Sequence, residues 1–92
     1  MNRADILTEA NRLTHGPRDG LYGTPRTNHE RIAGLWSVIL ETEVTPAQAA
    51  LCMAALKIAR AIASPGEGDH YIDGAAYLAI AGELATQQEE TP

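Results

Sequence analysis

The sequence of 92 residues is poor in aromatic side chains: it has no phenylalanine, three tyrosines and one tryptophan. So few aromatics disfavour a β-sandwich and a surface that stacks single-stranded nucleic acid. Cations are outnumbered too, and the net charge of −5 at pH 7 argues against binding to DNA or to an anionic membrane. We therefore expect neither nucleic acid nor a membrane among the partners.

Cysteine occurs once, as Cys52, which excludes an intrachain disulfide and fits a reducing compartment. Residues 1–5 lack the basic start and following apolar segment of a signal peptide. No apolar run reaches the roughly 18 residues that cross a bilayer, since the stretch 49–56 ends at Lys57. These features predict a cytoplasmic protein.

Alanine, leucine and isoleucine are abundant and recur at helical spacing, which predicts an all-α fold. We predict a single helical domain over residues 1–86, a small bundle of about four helices, followed by a disordered polar tail over 87–92. So small a bundle buries a modest core, which favours a homo-oligomer assembled through the second and third helices. The predicted helices cover about residues 4–14, 29–41, 46–63 and 70–86.

Capping residues set the predicted helix ends. Thr45-Pro46-Ala47-Gln48 combines an N-cap threonine, a proline at the first helical position and a capping-box glutamine. Asn28, or Thr27, is the predicted N-cap of the second helix, and Asp69 of the fourth. Residues 16–27 contain three glycines and two prolines and are predicted to form a loop.

The third helix is apolar almost all round, and between Gln48 and Ser64 only Lys57 and Arg60 are charged. Such a helix is expected to be buried on most sides, either at the centre of the bundle or against a second subunit. The second helix carries the clearest apolar stripe, in which Trp36 is expected to anchor a core or an interface. The stripe consists of Ile32, Leu35, Trp36, Ile39 and Leu40.

Lys57 and Arg60 are three residues apart and share one face of the third helix. Two cations on an apolar helix need anionic partners, because a buried unpaired charge is very costly. One interpretation is a pair of salt bridges to acids of the fourth helix, Asp73 above all. The other is a site for a phosphate or another anion, and a basic pair can serve both purposes.

Asp69 and Asp73 are four residues apart on the predicted fourth helix and face the same way. Such a pair could hold a divalent cation, especially Mg²⁺. Capping explains Asp69 equally well, and a salt bridge to Lys57 explains Asp73. Tyr77 follows Asp73 by one turn and completes a polar cluster.

The predicted loop carries Tyr22, which either plugs the helix ends or forms a lid that stacks on the base of a ligand. His15, His29 and His70 lack the spacing of metal ligands, so we expect them at the surface or at caps, with no zinc site. No nucleophile elbow or phosphate-binding loop occurs, and we predict no catalytic residue.

The order of several motifs is distinctive. They are Arg18-Asp19-Gly20-Leu21-Tyr22-Gly23-Thr24-Pro25, Asn28, Ile32-Ala33-Gly34-Leu35-Trp36-Ser37, Thr45-Pro46, Cys52-Met53, Leu56-Lys57-Ile58-Ala59-Arg60 and Asp69-His70-Tyr71-Ile72-Asp73-Gly74-Ala75-Ala76-Tyr77. Over about residues 16–84 this order resembles a small helical domain of unknown function that is common in phages and prophages. A phage origin would place the protein in the cytoplasm of the host cell.

A more distant resemblance is to the MazG-like all-α nucleotide pyrophosphatases, helical bundles that dimerise or tetramerise. Their pattern, Glu-x-x-Glu on one helix and Glu-x-x-Asp on the next, holds Mg²⁺ against a nucleoside triphosphate. The corresponding positions here are Lys57-x-x-Arg60 and His70-x-x-Asp73. A cationic pair repels Mg²⁺ but can contact phosphate directly, so the resemblance implies a nucleotide ligand more than that catalysis.

The leading hypothesis is a phage-encoded module that binds a small phosphorylated nucleotide without catalysis and sequesters a nucleotide signal of host defence. It needs no cofactor. In this hypothesis Lys57 and Arg60 hold the phosphate of the ligand. Tyr22 and Asn28 contact its base or sugar. Asp69 and Asp73 orient the two cations, with Tyr77 beside them.

Two alternatives stay open. One is a divergent nucleotide pyrophosphohydrolase with Mg²⁺ on Asp69, Asp73 and either Glu30 or Glu41. The other is a structural or protein-interaction module, in which the charged residues of the third and fourth helices only form a buried ion-pair network.

Overall fold

The computed structural model describes residues 1–16 and 23–87, and within these ranges the chain forms four α-helices and no strand. The all-α prediction is confirmed, while the oligomeric state stays a prediction. The predicted tail lies outside the described residues, apart from Gln87. The helices are α1 (Arg3–Thr14), α2 (Pro25–Leu40), α3 (Pro46–Ala63) and α4 (Gly68–Thr86).

The helices pack in the order α1, α4, α3, α2, so α4 lies between α1 and α3, and α2 packs on the other side of α3. One cluster of the core joins α1 to α4 through Ala10, Ile72 and Ala76. Among the described residues, the buried apolar side chains are seven alanines and one isoleucine. Alanine lets helix backbones approach closely, but it removes little apolar surface from water.

Two helix starts follow from capping boxes. At α3 the Gln48 N–H donates to Thr45 Oγ1 (3.1 Å) and the Thr45 N–H donates to Gln48 Oε1 (3.0 Å), with Pro46 in the first turn. This start was predicted and is confirmed. At α1 the same reciprocal bonds join Asn2 and Asp5.

The predicted start of α2 is wrong by one turn. The helix begins at Pro25 rather than near His29, and its N-cap is Thr24, whose hydroxyl accepts the Thr27 N–H at 3.2 Å. Gly23, with φ of 84°, turns the chain into this cap. A threonine followed by proline starts a helix for the same reason here as at α3, so residues 25–27 of the predicted loop are helical.

The start of α4 also differs from the prediction. The helix begins at Gly68, and Asp69 lies inside its first turn instead of capping it. The N-cap is Glu67, whose side chain makes no capping hydrogen bond. The Asp69 carboxylate still lies near the positive end of the helix dipole, which is favourable without a cap bond.

The apolar stripe of α2 and the outer face of α3 are not covered by the described chain. Leu35, Ile39 and Leu40 of the stripe are exposed, and Ile32 and Trp36 are half-buried. Although α3 lies between α2 and α4, only 17% of its residues are buried. The expectation that α3 would be buried at the centre of this bundle is therefore wrong for the isolated chain.

By length and composition, α3 is also long and apolar enough to cross a membrane. The sequence had suggested that Lys57 interrupts the apolar run too early for this. One such helix is weak evidence, since core and interface helices of soluble proteins share the same composition.

Candidate functional site

A cavity of about 470 Å³ opens where the C-terminal end of α1, the start of α2 and the middle of α3 and α4 converge. The Arg26 guanidinium, which donates to the Gln87 carbonyl at 2.8 Å, ties the first turn of α2 to the end of α4. The described residues that line the cavity are Leu13, Thr14, Gly23, Pro25, Asn28, His29, Lys57, Asp73, Ala76, Tyr77 and Ile80.

An ion pair between α3 and α4 forms part of the cavity wall. Lys57 Nζ lies 3.1 Å from Asp73 Oδ2, and the side chains are 14% and 32% exposed. The predicted salt bridge to Asp73 is therefore confirmed. Gly74 follows Asp73 and lies close to α3: a Cβ at this position would be 3.6 Å from Lys57 Cβ.

His29 is the buried polar side chain of the site, with 2% of its surface exposed. Its Nδ1 lies 2.8 Å from the Pro25 carbonyl oxygen, one turn earlier in α2. Its Nε2 is buried and has no hydrogen-bond partner. Buried polar atoms are nearly always paired in folded proteins. His29 is one of the residues that line the cavity, so its Nε2 is an unused hydrogen-bonding group of a cavity residue.

Tyr77 contacts His29 edge to face, with ring centroids 6.1 Å apart and an interplanar angle of 73°. This geometry is favourable between aromatic rings and holds the imidazole in place. Asn28 lies beside His29 in α2 and adds an amide to the cavity. The cavity wall thus contains a cation, a carboxylate, an imidazole, an amide and a phenol.

Of the predicted site residues, the fold brings four together in this cavity: Lys57, Asp73, Asn28 and Tyr77. Arg60 and Asp69 are exposed and do not line it. Residue 60 lies almost one turn past Lys57, near the end of α3, where the helix has left the cavity. Tyr22 lies outside the described residues.

The described residues contain no group of three or more histidine, cysteine, aspartate or glutamate side chains arranged to hold a metal ion. Asp69 is exposed, and Asp73 is paired with Lys57. Glu30 and Glu41, considered as further Mg²⁺ ligands, are also exposed and do not line the cavity.

His29 is the residue that sequence reasoning missed, because a surface or capping position was expected for it. The signal was present in the spacing. Once α2 begins at Pro25, His29 lies three and four residues before Ile32 and Ala33, on the side of the helix that packs inward. Misplacing the helix start by a turn made His29 the first residue of the helix and hid its burial.

Comparison with known proteins shows which family these features belong to. A family model described as a domain of unknown function, DUF6378, matches residues 5–85. That range includes all four helices almost entirely and every residue that lines the cavity. No solved structure matches the chain.

Two phage proteins are similar in sequence, and both are called Gene 55 protein. The one from Mycobacterium phage L5 is 36% identical over 86 residues, which cover 92% of this chain and 55% of that protein. The one from Mycobacterium phage D29 is 43% identical over 72 residues, covering 78% of this chain and 48% of that protein. The chain thus spans about half the length of the curated relatives it matches. These comparisons agree with the resemblance to a phage domain and do not show a relationship to the MazG-like enzymes.

Proposed function

The chain belongs to the DUF6378 family of domains of unknown function, and we propose that it binds a small phosphorylated nucleotide in the cavity beside Lys57 without hydrolysing it. The observation that carries this proposal is one cavity wall that combines a largely buried cation with a buried, unpaired imidazole nitrogen. The volume of the cavity, about 470 Å³, falls within the range of roughly 300–1,000 Å³ that is typical of small-molecule sites.

Lys57 is the group that would contact phosphate. Its side chain is only 14% exposed, so its charge is less screened by water than that of a surface lysine. An ammonium has three N–H donors and Asp73 engages it on one side, which leaves donors for a phosphate oxygen. Asp73 in turn fixes where the ammonium lies.

The remaining cavity groups suit the uncharged part of a nucleotide. The Asn28 amide can donate and accept hydrogen bonds, as the edge of a base or a sugar requires. Tyr77 offers an aromatic surface and a hydroxyl in the same cavity. A phage protein that holds a nucleotide intact in this way would lower the amount of that nucleotide available to the host cell. We therefore extend the proposal to sequestration of a nucleotide signal used in host defence.

A structural role is the second candidate, and the ion pair favours it. At 3.1 Å, Lys57 and Asp73 already satisfy part of each other's charge. In that case the cavity is a packing gap, and the pair only holds α3 against α4.

Isothermal titration calorimetry tests the proposal with nucleoside mono-, di- and triphosphates and cyclic dinucleotides, each with and without Mg²⁺. We expect saturable binding of at least one of them, and recovery of intact nucleotide after the protein is denatured by heat. Mg²⁺-dependent turnover would instead support the pyrophosphohydrolase alternative. No binding and no turnover would leave the structural role.

Two variants locate the site. Lys57→Met should abolish binding or weaken it more than tenfold, because the phosphate loses its cation. Arg60→Met changes a neighbouring, exposed cation of the same helix and should retain most of the affinity. Equal losses in both variants would contradict a site confined to the cavity, and Arg3→Met, on α1, controls for the loss of overall charge.

A further inference from the structure

We propose that His29 Nε2 selects the ligand by accepting a hydrogen bond from it, so that the cavity takes phosphorylated compounds that also carry an N–H or O–H donor. This inference rests on the proposed function, because it concerns the same cavity. It assigns the recognition of the ligand's uncharged part to His29, for which the sequence analysis expected only a surface or capping position.

The Pro25 carbonyl fixes the tautomer of His29. A carbonyl oxygen only accepts hydrogen bonds, so the contact of 2.8 Å requires the proton on Nδ1. In the neutral ring Nε2 then carries a lone pair and can only accept. The edge-to-face contact with Tyr77 keeps the ring in this orientation.

An unpaired buried acceptor disfavours the ligand-free state, since its hydration has been lost without replacement. A ligand that supplies a donor regains this hydrogen bond on binding. One that supplies only phosphate leaves Nε2 unpaired and gains only the contact with Lys57. The class of ligand is thus a phosphate ester whose base or sugar presents an amino, imino or hydroxyl hydrogen.

Two substitutions at position 29 separate the roles of the two ring nitrogens. In His29→Asn the amide replaces Nδ1, keeps a donor for the Pro25 carbonyl, and lacks an acceptor at the place of Nε2. In His29→Gln the longer amide can place an oxygen near the position of Nε2. We expect His29→Asn to weaken nucleotide binding about three- to tenfold, and His29→Gln to recover part of the loss.

The measurements are calorimetry with the tightest-binding nucleotide from the panel, and ¹⁵N NMR of histidine-labelled protein. The Nε2 signal of His29 should move upfield when the nucleotide binds, and should move much less with inorganic tripolyphosphate, which has no base or sugar. If the wild-type protein binds the nucleotide but the Asn variant binds equally well and Nε2 does not shift, the inference is wrong and the proposed function stands. If the wild-type protein binds no nucleotide, both fail together.

A different observation carries a second inference, about two apolar surfaces that are left exposed. One is on α2 and consists of Leu35, Val38 and Ile39, at the i, i+3 and i+4 positions of one helix face; it adds Val38 to two members of the predicted stripe and is called the α2 stripe from here on. The other is an apolar groove between α3 and α4. Its exposed apolar members are Ile58, Ile62, Tyr71 and Leu78.

We propose that a second copy of this chain covers these surfaces, with the α2 stripe of each copy seated in the α3/α4 groove of the other. The seven side chains are between 42% and 78% exposed. Burying one such side chain fully removes on the order of 100 Å² of apolar surface. Because the seven are only partly exposed to begin with, together they offer about 400 Å² that a partner could bury. One side of a standard interface buries about 800 Å², a little over half of it apolar, which is a close match.

The composition of the core supports a second copy as the occupant. Seven alanines and one isoleucine are the buried apolar residues of the described chain, and alanines contribute little burial. Covering the exposed apolar side chains would therefore add substantially to the apolar surface that the fold buries. A second copy is always present in matching amount, and a helix stripe in an apolar groove is a common mode of association. Reciprocal seating closes the dimer by a two-fold axis.

Light scattering after size-exclusion chromatography, over a range of concentrations, tests this arrangement. Wild-type protein should be a dimer, and Val38→Lys and Ile62→Glu should each be monomeric with unchanged helix content. Mixing the two variants should restore a dimer, because the lysine of one meets the glutamate of the other while the second contact stays wild type. Leu7→Lys, an exposed apolar position on α1, should remain dimeric.

A monomeric wild-type protein would overturn the inference, including a monomer that partitions into lipid vesicles through α3. A dimer that both variants disrupt but that mixing does not restore would overturn the reciprocal seating of α2 in the groove.

Discussion

Lys57 of α3 and Asp73 of α4 meet at 3.1 Å, and the two helices they join share the most extensive contact of any helix pair among the described residues. A double-mutant cycle of Lys57→Met and Asp73→Asn should give a coupling of about 1–2 kcal/mol in the free energy of unfolding, since the pair is only partly shielded from water. Urea denaturation of the four proteins measures it. A coupling near zero would show that the pair contributes little to stability and would make a purely structural role for it untenable.

The N-cap of α2 gives a second prediction. Thr24→Ala should destabilise the protein by about 1 kcal/mol, because the Thr27 N–H loses its acceptor at the start of the helix. Thr45→Ala removes the equivalent bond at α3 and should cost a similar amount. Asn28→Ala is the matched control, since Asn28 lies within the helix. A larger loss in Asn28→Ala than in Thr24→Ala would contradict the helix start at Pro25.

The C-terminal end of α2 offers a stabilising change. Glu41 has φ of 53° and ψ of 36°, a left-handed conformation that costs a residue with a Cβ about 1 kcal/mol. Glu41→Gly should therefore raise stability by about 1 kcal/mol, which corresponds to roughly 4–8 °C in Tm for a domain of this size. Glu43→Gly removes a nearby charge at a position without positive φ, and thermal unfolding should show no gain for it.

A titration prediction concerns α1. The Arg12 guanidinium donates a hydrogen bond to the Glu9 carboxylate and lowers the pKa of Glu9 below its ordinary value of 4.5, with the positive charge of Arg12 acting in the same direction. A lowered pKa means that the pair stabilises the fold above pH 4.5, and that this contribution is lost as the pH falls through the lower, folded value. The pair lies at the surface, where solvent screens it, so the effect on stability should be small.

Carboxyl ¹³C NMR should follow this titration directly. Arg12→Gln should return the pKa of Glu9 toward 4.5, whereas Arg3→Gln on the same helix should leave it lowered. An unchanged Glu9 titration in Arg12→Gln would contradict the assigned cause.

The four helices and about half of the candidate site could be predicted from the sequence. Why each residue was or was not predictable differs from one to the next. The Thr45-Pro46 start and the Lys57–Asp73 pair were predictable, because caps follow local chemistry and a lysine in an apolar helix needs an acid. The Thr24-Pro25 start uses the same local chemistry, but the surrounding glycines and prolines hid it in an apparent loop. Because that helix start was missed, the burial of His29 was not predicted.

Arg60 and Asp69 show what spacing alone cannot decide. Both share a helix face with a cavity residue, Lys57 and Asp73 respectively. Arg60 lies almost one turn after Lys57, and Asp69 lies about one turn before Asp73, so each is nearer the end of its helix than the cavity residue, and both are exposed. Helical periodicity gives the direction of a side chain, but the depth along the helix is set by where the other helices cross.

The alanine-rich core tolerates smaller side chains at its buried positions but not larger ones. Ala49, Ala50 and Ala54 of α3 are at most 2% exposed, so a larger side chain at any of them would have to displace the groups packed around it. Natural variation at these positions should therefore be confined to glycine, alanine and serine, while the exposed leucines and isoleucines should exchange more freely with other apolar residues. Over evolutionary time the spacing between helices would be conserved more strictly than the identity of the larger apolar residues around them.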